Sequence, residues 1–216
     1  MVYSTRIIPS KEELDGCSVF RVNHYLWESL REPETFGQMA YLDGQGLLLR
    51  MTCMEQDPKR ECHNHRDMVC KDSAMEAFFA FPDLNLRQTA PPSNDCLYLN
   101  FEINANGAMY AKYGHGRQGR QFITDAEYAM TGVKAAIEPD RWTAELLIPD
   151  PLLRRLGVPN FRAGDTFFCN FYKIAEDPAI LHFGAYHPIP TDTPNFHLPA
   201  HFDRTEIIAP GKNTID

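Results

Sequence analysis

Apolar and polar residues alternate along this chain in short runs, and turn-forming residues separate the runs at close intervals. In DSAMEAFFAF a period of two puts Asp72, Ala74 and Glu76 on one face, with Ser73, Met75, Ala77 and Phe79 on the other. CLYLNFEINANG repeats the pattern, with Leu97, Leu99, Phe101 and Ile103 opposite Asn100, Glu102 and Asn104. GQMAYL and GLLLRMTC flank Asp43-Gly44-Gln45-Gly46, and CLYLNFEI and AMYAKY flank Asn104-Ala105-Asn106-Gly107. Both connections hold residues that tolerate the backbone of tight turns. VKAAI and RWTAELLI flank Glu138-Pro139-Asp140, and TFFCNFYKI adds an aromatic, β-favouring run near the end. Many short strands joined by hairpins predict an all-β fold, a β-sandwich of jelly-roll type.

One helix interrupts the pattern. Asp150 can cap it, Pro151 suits its first position, and LLRRL carries it to Gly157, a natural stop. From His182 to His201 no period is visible, and Pro188, Pro190, Pro194 and Pro199 predict a long C-terminal loop. No linker, repeat or low-complexity block divides the sequence, so residues 1–216 are expected to form one domain.

Charge narrows the function classes. A formal net charge of −8 opposes binding through nucleic-acid phosphates, which needs a basic surface. No apolar run reaches the length of a membrane span. The opening residues MVYSTRIIPSKEELDG lack the apolar core of a signal peptide, and the expected location is the cytoplasm. Cys17, Cys53, Cys62, Cys70, Cys96 and Cys169 are irregularly spaced and mostly sit in apolar runs, so they are expected to be free thiols. A neutral polyol is the partner that this charge permits.

The two alternating runs each present carboxylate and amide groups away from their apolar face, and such groups suit sugar hydroxyls, which both donate and accept. A solvated sheet face is the plainer reading of the same alternation. The cluster Cys62-His63-Asn64-His65 fits neither usual zinc spacing, and Pro199 lies between His197 and His201. Calcium suits an acidic chain better, but no loop around Asp57, Asp67, Asp165 or Asp177 has convincing ligand spacing. No metal site is assigned, and structural calcium is the one cofactor considered. Phosphate-loop and nucleophile-elbow motifs are absent.

DSAMEAFF, YLNFEINANG, the arginines of GHGRQGR, WTAELLIP, CNFYKIAED, HFGAYHPI and NFHLPAHF follow one another in this order. Together, from about residue 15 to residue 208, they resemble the bacterial carbohydrate-binding family 9-like proteins, relatives of a module attached to xylanases. The resemblance implies a β-sandwich, non-catalytic binding of a mono- or oligosaccharide in polysaccharide catabolism, and structural calcium. Carried over residue by residue, it implies a sugar site of Glu76, Asn100, Glu102, Arg117 or Arg120, Asn170 and Lys173, with Tyr186 as the stacking platform. Two departures stand out: Tyr186 falls where the family often has Trp, and Cys70 falls where the xylanase modules offer an aromatic. Alternation also turns Lys173 away from Asn170 and Tyr172 unless a bulge re-aims it. Two other functions remain open at this level: a glycoside hydrolase using a carboxylate pair in the same cleft, and a scaffold that has lost sugar binding.

Overall fold

The computed structural model describes residues 2–211. Its first strands are β1 (Tyr3–Ile8), β2 (Val19–Val22), β3 (His24–Tyr25), β4 (Thr35–Leu42) and β5 (Gly46–Cys53). After a long connection come β6 (Ala74–Phe81), β7 (Leu97–Asn104), β8 (Met109–His115) and β9 (Gln121–Phe122). The rest are α1 (Asp125–Thr131), β10 (Lys134–Ile137), β11 (Trp142–Pro149), α2 (Asp150–Arg155), β12 (Thr166–Ala175), β13 (His182–Ala185) and β14 (Asp203–Ile208).

Eleven strands form one hydrogen-bonded path in the order β10-β11-β5-β4-β1-β14-β12-β6-β7-β8-β9, with β2 paired to β4, β13 to β12, and β3 to β13 beside it. Most pairs are antiparallel, but β1 runs parallel to both neighbours, β4 and β14, and so joins two antiparallel halves. The path curls until the halves face each other. Met39, Tyr41, Leu49, Met51 and Trp142 from one half then pack with Phe79, Leu99, Phe101, Phe167 and Phe171 from the other. The rings of Phe20 and Phe171 stack inside this core with centroids 3.6 Å apart. The expected sandwich is present, and Trp142 is fully buried in its core.

The expected hairpins form where the turn residues lie. Leu42 pairs with Gly46 across the first, at a place where only glycine fits. Gly46 has φ +148°, and a Cβ there would stand 2.2 Å from the Ile148 carbonyl oxygen of β11. The anticipated helix is α2, ending before Gly157 at φ +88°. Asp150 lies inside it, one residue past the Pro149 cap, and its carboxylate accepts the Tyr41 hydroxyl at 2.8 Å. The expectation of a single helix is corrected by α1, where Thr124 and Glu127 cap each other reciprocally and Gly132 ends the helix in a left-handed conformation.

A larger difference concerns β6, β7 and β12, which are buried along their whole length. Their second face carries Phe78, Tyr98, Phe168 and Tyr172, and the loops bring Phe183, Phe196 and Phe202 over it. The face that alternation marks as polar is therefore roofed. Burying each of these rings stabilises by about 1.5–3 kcal/mol, whereas a carboxyl buried without a partner costs several kcal/mol. The carboxyls on this face are consequently the informative residues.

Candidate binding site

A row of side chains crosses four strands on the roofed face. The pairing sets Tyr172 of β12 beside Glu76 of β6, Glu76 opposite Glu102 of β7, and Glu102 opposite Tyr110 of β8. Glu76 is 3% exposed and Glu102 is 6% exposed. They and Tyr110 line the floor of a cavity of about 280 Å³. Trp27, Phe183 and Phe196 line it as a group of touching rings, and Asn195, His197, Arg117, Gln118 and Arg120 complete the lining. Tyr172 stacks on Phe196, centroids 4.0 Å apart.

The hydrogen bonds divide the two carboxyls sharply. Asn100 donates its amide to Glu102 at 2.9 Å, while its carbonyl oxygen accepts the Arg120 guanidinium. Arg120 also donates to the Arg117 carbonyl at 3.2 Å and lies 5.3 Å over the Tyr98 ring. Glu102 is thus held in place through Asn100, with an arginine behind it. Glu76 receives no hydrogen bond from the described residues. Burial, then the charges of Glu102 and Glu176, push the Glu76 carboxyl well above the carboxylate range. Burial also pushes Glu102 up, to about 7, against the pull of Arg120 and of the Asn100 bond. Burial, with the neighbouring Arg120, lowers His197 to about 3, so its ring is neutral.

Of the residues expected from sequence, Glu76, Glu102, Arg117 and Arg120 line the cavity, and Asn100 sits immediately behind it. Arg117 is exposed and donates to the Asn195 side chain at 3.1 Å, whereas Arg120 is the arginine tied to the floor. Three of the expected residues lie outside the cavity lining. Lys173 points through the sheet, where its ammonium meets Ser73 Oγ at 2.5 Å, His182 Nε2 at 2.8 Å and Glu55 at 3.6 Å. No bulge re-aims it, because β12 pairs with β6 in unbroken register from Phe168 to Ile174. Asn170 faces the correct way but donates to the His187 carbonyl at 2.8 Å and accepts its N–H at 2.9 Å. It clamps the chain leaving β13 and lines no part of the cavity. Tyr186 packs among Tyr3, Phe20 and Phe171 and donates its hydroxyl to Asp203 at 3.0 Å, outside the cavity.

The aromatic lining comes instead from Trp27 with Phe183 and Phe196. The Trp27 Nε1–H donates to the Thr191 carbonyl at 2.6 Å, and its ring meets Phe183 edge-on and Phe196 at a tilt. Trp27 and Glu28 both have positive φ, 50° and 58°, which bulky residues rarely adopt. Ser29 holds the bend by donating to the Leu26 carbonyl and accepting the Phe183 N–H. One signal existed in the sequence: a lone Trp in NHYLWESLREPE, a stretch without strand alternation.

No group of three or more His, Cys, Asp or Glu side chains is placed to hold a metal among the described residues. The acidic loop residues are separately engaged: Asp57 with Arg60, Asp165 with Arg87 and the Arg162 N–H, and Asp177 with Lys59. Asp67 accepts the N–H groups of His63 and Asn64. These residues do not fit a shared calcium site.

A β-sandwich with a cavity lined by aromatic rings and a few convergent polar groups has the build of a small-molecule site. The profile of carbohydrate-binding family 9 matches residues 8–207, and the chain belongs to that family. No curated protein matches it at a significant level. Among solved structures, it resembles a Bacteroides uniformis protein whose assignment to carbohydrate binding is itself an inference. That pair is 22% identical with a TM-score of 0.77, covering 95% of this chain and 98% of the other. Two structures of a family 9 module from Caldicellulosiruptor kristjanssonii share the fold. The one with cellotriose has 10% identity and a TM-score of 0.63, covering 100% and 98% of the two chains. The one with glucose has 11% identity and a TM-score of 0.65, covering 100% and 99%.

Proposed function

We propose that this chain binds a mono- or short oligosaccharide in the roofed cavity without cleaving it, in the service of polysaccharide breakdown. The observation that carries the reading is Glu76: a residue only 3% exposed that lines the cavity and takes no hydrogen bond from the described residues. A polar group left unpaired by the protein at a cavity floor is free to bond a polar ligand. Sugar hydroxyls can bond it, and the Trp27 ring offers an apolar face for a sugar ring. The cavity is near the small end of the roughly 300–1,000 Å³ range of ligand sites, which suits one or two sugar units. The bound glucose and cellotriose of the Caldicellulosiruptor module support the same ligand class.

Hydrolysis is disfavoured by how the carboxyls are mounted. Glu76 and Glu102 project side by side from adjacent strands. A glycosidase needs its two carboxyls flanking the scissile bond. Structural calcium, which the family resemblance implies, has no support from the acidic loops; a melting temperature unchanged by EDTA would remove it from consideration.

Calorimetry against glucose, cello- and xylo-oligosaccharides tests the reading. Trp27→Ala removes one aromatic surface worth about 1–3 kcal/mol, so binding weakens ten-fold or more at about 1.4 kcal/mol per decade. If no sugar binds, the scaffold reading prevails. Release of reducing ends that Glu76→Gln or Glu102→Gln abolishes would establish the hydrolase instead.

A further inference from the structure

Glu76 and Glu102 are directly opposed on neighbouring strands. Opposed residues carry Cβ atoms about 4.5–5.5 Å apart, and two buried carboxyls at that spacing do not both ionise cheaply. A cation bonded to both would relieve the repulsion, but among the described residues the nearby cations make their bonds elsewhere and reach the pair only through their charge. Arg120 is bonded to Asn100 and to the Arg117 carbonyl. Lys112 of β8 lies over the rings of Tyr110 and Phe122, at 5.1 and 4.4 Å. Lys173 of β12 is on the other side of the sheet with Glu55. Arg117 is bonded to Asn195. The remaining groups facing the pair are Tyr172 from β12, Tyr110 from β8, Glu176 past the end of β12, Cys70 before β6 and His197 from the C-terminal loop. Glu176 adds negative charge, and none of the others supplies a positive one.

We propose that Glu76 and Glu102 receive the ligand as a one-proton pair, Glu76 as the carboxylic acid and Glu102 as the carboxylate, so that the site selects uncharged polyols over anionic sugars. The proposal rests on the carbohydrate reading above and assigns its chemistry. Asymmetry of the surroundings sets the roles: Asn100 donates to Glu102, whereas nothing donates to Glu76. Burial raises both groups. An acid next to a carboxylate offers one donor and one acceptor, and a sugar hydroxyl, or two adjacent ones, satisfies both. A uronate carboxylate would instead meet Glu102 and Glu176 at close range. When the pair loses its last proton, the donor disappears and a second buried charge takes its place. Affinity then falls by up to ten-fold per pH unit above that titration, the slope for one linked proton.

Carbon-13 NMR of the glutamate carboxyls in the free protein, assigned with Glu76→Gln and Glu102→Gln, tests the pair without any sugar. One protonated and one ionised carboxyl at pH 7 is the expected result; two ionised carboxyls overturn the proposal. Calorimetry with glucose, cellobiose and glucuronate from pH 5 to 9 tests its use. In the wild type, affinity for the neutral sugars declines toward high pH and glucuronate binds at least ten-fold more weakly than glucose. Glu76→Gln, which keeps a neutral donor, flattens that pH profile, whereas Glu102→Gln weakens binding at every pH. Glucuronate binding as tightly as glucose, or a pH profile unaltered by Glu76→Gln, overturns the assigned roles. If none of these sugars binds between pH 5 and 9, the carbohydrate reading fails, while the NMR titration still decides the pair.

Discussion

Lys173 has no exposed surface, and its ammonium is enclosed by Ser73, His182 and Glu55. Burial alone would raise the Glu55 carboxyl, but Lys173 together with hydrogen bonds from Ser73 and Trp142 holds it below its ordinary value. Lys173→Met leaves that carboxyl buried without its cation. Breaking a buried pair costs about 3–5 kcal/mol, a fall in melting temperature on the order of 10 °C at 2–4 °C per kcal/mol. Sugar affinity measured well below the melting point should stay within a few-fold, because Lys173 lies across the sheet from the cavity. Tyr186→Ala should behave similarly. It removes ring contacts with Tyr3, Phe20 and Phe171, costing about 2–3 kcal/mol for a half-buried ring, and leaves sugar calorimetry nearly unchanged. A ten-fold loss of affinity in either variant would restore that residue to the site.

At the scale of elements, local chemistry was legible and roofing was not. The hairpin turns and the stop at Gly157 follow from residues adjacent in sequence, and they form where expected. The start of α1 was equally available: Thr124 and Glu127 carry the Thr-x-x-Glu spacing of a capping box, and Gly132 closes the helix. It went unread because its seven residues are too few for a helical period to show. Thr124→Ala should cost about 1 kcal/mol, the usual loss for a cap, measurable by urea unfolding. Gly46→Ala should cost more, since its Cβ would collide with the Ile148 carbonyl across the β5–β11 pairing; a cost under about 0.5 kcal/mol, typical of surface positions, would show that β11 moves aside easily. Alternation in β6 and β7 placed Glu76, Asn100 and Glu102 correctly on one face. Register then turned this shared face into a pair, because Glu76 and Glu102 meet only when the strands align.

For the whole molecule, buried titratable groups set opposing pH responses. Burial lowers His182 to about 4 and His197 to about 3. In the unfolded chain these rings bind protons more readily, so their contribution to stability is lost as pH falls from about 6.5. Glu76 and Glu102 are raised in the fold, so their contribution is present at low pH and lost as pH rises from about 4.5 through 7. Between about pH 4.5 and 6.5 the two trends offset each other. Thermal unfolding across pH should therefore give its highest melting temperature in this mildly acidic window, with a decline toward pH 9 that Glu76→Gln reduces. A maximum above pH 8 would mean that the carboxyl pair is ionised in the fold.

The strands of the expected hairpins, their turns and the faces on which Glu76, Asn100 and Glu102 lie were determined by the sequence itself, because period, turn chemistry and side-chain direction are properties of neighbouring residues. Strand β13 (His182–Ala185), which opens the stretch expected to be loop, was not. The tertiary structure alone decided which polar residues share a cavity. It drew Trp27 from a strained bend to the cavity, spent Asn170 on a backbone clamp, sent Lys173 to Glu55 through an unbroken register, and packed Tyr186 against the core. Each outcome depends on segments far apart in the chain: Trp27 and Thr191 are bonded across 164 residues, and Lys173 and Ser73 across 100. Local patterns carry no record of such meetings, because burial and partnership are fixed only when the sheet curls and the loops close over it.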